Sequence, residues 1–282
     1  MAWICKKDAY QRLEARFPDL YLNEKILNNW AKSGKEIAII KNGNRIGFED
    51  YDLENWECRI ANCKVSLNYE DYLLCFKFAV EAYYGLMTRA DFNRGKQRDV
   101  GEFITNQVQG KLGEIAVMKL LEGHGVKIKL DFDVTGQIPS QDISQISTRR
   151  GVWNNPSLKV SIKTTKLKNV LLAIPESEAL IPDRRSDLYI LSQVGLFPDH
   201  ILRVIKAFRP EIILEHLDLI PDFGSIPVRV AGWTLYDTLV EHGPLSVLEI
   251  NNRFGITMAG NNYIKVSGEL STDWAAMIEL IV

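Results

Sequence analysis

The stretch VSIKTTK, Val160 to Lys166, decides the fold, because its alternation fixes which residues face inward and which face out. Successive side chains of an extended strand point to opposite sides, so Val160 and Ile162 share one face and Ser161 and Lys163 the other. The apolar face is suited to packing on a helix, and the Ser161–Lys163 face then opens toward a cleft. Taken alone, a strand lysine is a solvated edge residue, so its neighbours have to be read with it.

Upstream, SLNYEDYLLCFKFAVEAYYGLM reads as a helix, with Leu73, Phe76, Val80, Tyr83 and Tyr84 at three- and four-residue spacing and Asn68 as its cap. A polar, basic stretch follows, and then a second helix, ITNQVQGKLGEIAVMKLLEG, ended by Gly123 and Gly125. VKIKLDFDV, SLKVSIKTT, NVLLAIP, SDLYILSQV and ILRVIKAF read as strands, and IPVRVAGWTLYDTLVEHG as a strand and a helix. Together these predict an α/β (α+β) fold, a central mixed β-sheet flanked by helices.

The 282 residues are 46% hydrophobic and 10% aromatic, enough apolar mass for one large domain or two smaller ones. A net charge of −2 excludes a global basic field, so any nucleic-acid contact has to be local. Cys5, Cys58, Cys63 and Cys75 form no CxxC pair and the four histidines are scattered, which argues against structural zinc and for reduced thiols. No signal peptide and no membrane-spanning run is read, so a soluble, cytoplasmic (prokaryotic) protein is expected. No glycine-rich phosphate loop or histidine-based cluster points to a metabolic enzyme.

Residues 1–62 are expected to form a small separate domain and residues 63–282 the larger one. Within the first, LNEKILNNWAKSGKEIAIIKNGNRIGFEDYDLENW predicts a helix, a tight turn, a hairpin and a short acidic helix. Leu13, Phe17, Trp30, Leu53 and Trp56 are among its expected core residues. The pattern of Trp30, Gly34, Lys41, Gly43, Arg45, Asp52, Leu53 and Trp56 resembles the excisionase and MerR-type winged helix-turn-helix. That resemblance implies DNA contacts from Lys25, Asn28, Asn29, Lys32, Lys41 and Arg45.

In the larger part, acids and lysine come in a set order. Glu114 lies on the second helix, Asp142 at a turn entering a strand, and Lys163 on the next strand. This order, over roughly residues 100–235, resembles the PD-(D/E)xK nuclease superfamily, the fold of many type II restriction endonucleases. The resemblance makes Asp142 the first acid, Lys163 the lysine and Glu114 the accessory helix acid. It departs from the pattern at the middle acid, where Ser161 stands. A carboxylate for that role is expected from Glu114 first, and from Glu176 or Glu178 second. Asp131 and Asp133 compete for the acid role but precede the turn.

The implied chemistry is phosphodiester hydrolysis. Mg²⁺ prefers oxygen ligands, so Asp142, Glu114 and the Ile162 carbonyl would hold it, and Lys163 would orient water or stabilise developing negative charge. A homodimer cutting both strands of double-stranded DNA is the expected assembly. The rivals are a repair or mobile-element nuclease and a non-catalytic DNA-binding regulator with a decayed nuclease domain. Residues 89–166 hold thirteen Lys and Arg against eight Asp and Glu. From this stretch Arg94, Lys96, Arg98, Lys111, Arg149 and Arg150 are the expected phosphate contacts.

Overall fold

The computed structural model describes residues 3–84, 99–132, 141–147, 151–208 and 219–282. The chain opens with strand β1 (Trp3–Cys5) and helices α1 (Lys6–Arg16) and α2 (Glu24–Asn28). Asn23 caps α2, its side-chain oxygen accepting the Ile26 N–H at 3.1 Å. α2 runs on into a π-helical turn, Asn29–Ser33. Strands β2 (Ile40–Asn42) and β3 (Arg45–Glu49) form a hairpin, and β3 also pairs with β1, antiparallel throughout. The turn residues are Gly43–Asn44 rather than the Asn-Gly pair before them. Gly43 takes φ +59, which only glycine adopts freely.

Helix α3 (Asp50–Cys63) leads directly into β4 (Lys64–Leu67). Asn68 and Asp71 cap α4 (Tyr69–Tyr84) reciprocally, each side chain accepting the other's N–H at 3.0 and 2.8 Å. α5 (Val100–Gly123) begins at an Asp99 cap. It is followed by β5 (Lys127–Leu130), β6 (Ile143–Ser147) and β7 (Trp153–Asn154), an antiparallel meander. Then come β8 (Val160–Lys166), β9 (Leu171–Pro175), α6 (Glu176–Ala179), β10 (Leu188–Val194) and α7 (His200–Phe208). β11 (Ile226–Leu235), α8 (Tyr236–Val240), α9 (Val247–Phe254), β12 (Asn262–Val266), a 3-10 turn at Ser267–Glu269 and α10 (Trp274–Ile281) complete the chain.

The four-stranded sheet has the order β4-β11-β10-β8. Its β8–β10 pair is parallel and its other pairs antiparallel, so the fold is mixed α/β around a mixed sheet. Every residue of β10 is buried, as expected of a strand covered on both faces. Val160 and Ile162 of β8 meet Leu112, Ile115 and Ala116 of α5 in the main core. α5 lies very close to β8 at Gly113, where a Cβ would stand 2.0 Å from the Thr164 hydroxyl oxygen. Among the described residues no helix is long and apolar enough to cross a membrane.

A segment after β10 also differs from its sequence reading. ILRVIKAF, expected as a strand, is most of α7. His200 and Val204, one helical turn apart, are the buried positions, and Leu202, Ile205 and Phe208 remain exposed. The His200 ring sits 2.6 Å from the Tyr72 hydroxyl and 3.1 Å from that of Thr105, and Arg203 pairs with Asp199 at i,i+4. Helical packing and pairing outweigh the β-preference of its branched residues.

Trp30 and Trp56 are buried core residues, as expected, but the core they share is not built from the N-terminal residues alone. Leu167, Val170, Leu171 and Val266 belong to it. The Glu36 carboxylate accepts both Arg229 terminal nitrogens, at 2.5 and 2.7 Å, the Trp56 indole N–H at 2.9 Å, and the Ser267 hydroxyl. The Arg229 guanidinium lies 3.7 Å over the Trp30 ring. Burial alone would raise the Glu36 pKa. Arg229 and the two further donors, Trp56 and Ser267, outweigh it and hold the carboxyl below its ordinary range. Replacing Arg229 with methionine strands that carboxylate and is expected to destabilise the protein by about 3–5 kcal/mol, whereas Glu36→Leu combined with Arg229→Met is expected to cost less than either alone. Urea unfolding of the three variants checks this, and simple additivity would rule it out.

Candidate active site

Asp142 stands one residue before β6 and ties that strand to β8. Its N–H donates to the Val160 carbonyl at 3.1 Å. Its side-chain Oδ2 accepts the Ile162 N–H at 2.6 Å and the Ser161 hydroxyl at 3.2 Å. The carboxylate is therefore fixed by β8 itself, beside Ser161. Three of the expected site residues, Asp142, Ser161 and Ile162, are in direct contact.

Glu114 is buried on α5 and pairs with Lys111 at 2.7 Å. Lys111 also donates to the Asp131 carbonyl at 2.6 Å and lies over the Phe78 and Phe132 rings at 4.9 and 5.1 Å. Expected at the surface as a phosphate contact, Lys111 is instead buried. Its i,i+3 spacing puts it on the same inward helix face as Glu114, and that spacing is the signal that could have found the pair. Burial first, and then the charge on Asp142, push the Glu114 pKa up to about 8, against the pull of Lys111. The two carboxylates thus feel each other.

Lys163 is half-exposed, with its amine 2.7 Å from Glu178 on α6. Of the two acids in IPESEAL, Glu178 is the one beside the lysine. Glu176 instead accepts the Asn261 amide at 3.0 Å. The helix acid and the catalytic lysine of the sequence reading therefore each hold a partner of their own, Lys111 and Glu178.

The donor set suits a hard cation. Among the described residues, Asp142 Oδ1 and Glu114 Oε1 accept no hydrogen bond, and a cation between the two acids would relieve their repulsion. No group of three or more His, Cys, Asp or Glu side chains is gathered for a metal among the described residues. An ion here would rest on two carboxylates, the Ile162 carbonyl and water, which Mg²⁺ tolerates.

In the N-terminal part Lys25, Lys32, Lys41 and Arg45 are exposed. The two asparagines are less available. Asn28 accepts the Tyr10 hydroxyl at 3.1 Å, and Asn29 donates to the Lys168 carbonyl at 3.1 Å, beside a 3.0 Å bond from the Trp30 indole to the Leu167 carbonyl. The segment expected to read bases therefore leans partly on the loop after β8, through the π-helical turn that follows α2. Arg94, Lys96, Arg98, Asp133, Arg149 and Arg150 lie outside the described residues.

A carboxyl whose folded pKa is raised favours the folded state most fully below its ordinary value of 4.5. That benefit is lost as pH climbs toward about 8, at no more than about 1.4 kcal/mol per pH unit. In metal-free buffer Glu114→Gln is expected to flatten this fall while leaving stability at acidic pH nearly unchanged. Denaturation at several pH values between these limits measures it, and a variant that tracks the original chain would refute the assignment.

A scan of family models, a search of curated proteins and a search of solved structures each find no match to this chain, so the functional reading stands on the junction of Asp142 with β8.

Proposed function

We propose that the chain is a Mg²⁺-dependent DNA endonuclease, of the type II restriction kind, with a restriction-endonuclease-like catalytic part and a winged helix-turn-helix at its N-terminus. The observation that carries this reading is the Asp142 carboxylate held against Ser161 and the Ile162 N–H, with the buried Glu114 within electrostatic reach. Asp142, Glu114 and the Ile162 carbonyl would hold the ion, which when bound polarises a phosphoryl oxygen and acidifies an attacking water.

The protein's own groups have separate tasks. Ser161 donates to Asp142 and fixes its orientation, but a hydroxyl supplies no charge. Lys163 offers its ammonium to the charge that develops on the phosphoryl group. Glu178 holds that ammonium at 2.7 Å and is a source, second to Glu114, of the carboxylate that Ser161 does not provide. Cutting both strands calls for two such sites, hence a symmetric homodimer on double-stranded DNA. The exposed Lys25, Lys32, Lys41 and Arg45 would bind phosphates. Ser161 also favours a second reading, a DNA-binding regulator whose nuclease part has decayed.

Incubation with plasmid DNA separates the two. Discrete fragments are expected with Mg²⁺ and none with chelator, and Lys163→Ala and Asp142→Asn are each expected to slow cleavage a hundredfold or more. Glu114→Gln is expected to abolish cleavage at saturating Mg²⁺, whereas loss only in Glu178→Gln would move the missing acid to α6. Salt-sensitive DNA binding without cleavage by the unmodified chain would leave the regulator standing.

A further inference from the structure

The β5-β6-β7 meander turns Ile128 and Ile146 into the core. On its other side it carries an unusual set of groups. Lys127, Ser147 and Trp153 form one cross-strand row, and Lys129 and Gln145 form the next. Lys127 and Lys129 are exposed, and Trp153 is 37% exposed within an exposed run from Gly151 to Asn155. Lys129 donates to the Gln145 side-chain oxygen at 2.7 Å, and its ammonium sits 4.5 Å from the centre of the Trp153 ring. Neither lysine has a carboxylate partner among the described residues. The surface begins next to the candidate site, since β6 starts at the residue after Asp142.

We propose that this outer face is a stacking platform for unpaired nucleotides of the DNA strand that runs to Asp142. The proposal rests on the reading of the chain as a DNA-acting protein and adds a substrate preference, a double-stranded site whose flank is unpaired. In an intact duplex the faces of the bases are covered by their neighbours, so an exposed indole finds a base to stack on only where the strand is unpaired. The Lys129 ammonium covers part of the indole through the cation–π contact and steadies the ring for a base. Lys127 and Lys129, which pair with no carboxylate among the described residues, offer their charge to the phosphates on either side. A second copy of the chain adding a strand to this edge is a poorer occupant, because β7 offers only two residues to pair with.

The test uses the full chain with divalent metal chelated, so that cleavage plays no part. Fluorescence anisotropy with a labelled oligothymidylate, and with a blunt duplex of the same length, is compared for the unmodified chain, Trp153→Ala and Trp153→Phe. Trp153→Ala is expected to bind the single strand about tenfold more weakly with the duplex unchanged, and Trp153→Phe to keep most of the affinity. Its melting temperature is expected to stay put, because the ring is exposed. Unchanged single-strand affinity, equal losses on both probes, or a shift in oligomeric state with no change in DNA binding would each overturn the platform. Trp153-dependent binding by a chain that cuts nothing with Mg²⁺ would sink the nuclease reading and leave the platform in place.

Discussion

The rest of the molecule depends on one buried ion pair. Glu36 and Arg229 have side chains exposed to 0% and 1%, so both charges have left water, a loss of several kcal/mol for each ion that only close geometry offsets. The geometry here is close. Arg229 presents its fork, Trp56 and Ser267 supply further donors, and the Trp30 ring covers the guanidinium. The glutamate comes from the turn after α2 and the arginine from β11, so the pair fastens the first sixty residues to the sheet. Arg59 reinforces the same seam by donating to the Ala231, Ser267 and Leu270 carbonyls.

That seam matters to the candidate site because β11 pairs with β10, and β10 runs parallel to β8 in continuous register from Val160 to Lys166. Displacing β11 would disturb the strand that carries Ser161 and Lys163. On the other side Gly113 lets α5 close onto Thr164, which sets the depth of Glu114. The site lies between two contacts that each tolerate little change in size, one ionic and one steric.

Much of this was legible in the sequence, wherever a local period governs. The alternation in VSIKTTK gives the two faces of β8, the stripe through Leu112 and Ile115 gives α5, and Asp142 sits where its turn residues predict. The illegible parts arise from partners distant in the chain. IPESEAL offers Glu176 and Glu178 alike and does not announce that Glu178 pairs with Lys163 fifteen residues back, and nothing near Glu36 announces Arg229, 193 positions away. ILRVIKAF misleads because its branched residues suit a strand, while the Tyr72 and Thr105 hydroxyls that hold His200 come from two other helices. Lys111 misleads because charge alone says surface, whereas Glu114 and two aromatic rings make the interior acceptable.

The bonds that join the π-helical turn after α2 to the loop after β8 have an asymmetry of their own. Asn29 and Trp30 contribute side chains, but Lys168 and Leu167 contribute only main-chain carbonyls. Every amino acid owns a carbonyl, so substitution at 168, whose side chain is exposed, leaves the latch intact, whereas the donors at 29 and 30 are specified by residue type. Sequence drift can therefore pass freely at position 168 and hardly at all at 29 and 30, while Leu167 is held by its own place in the shared core.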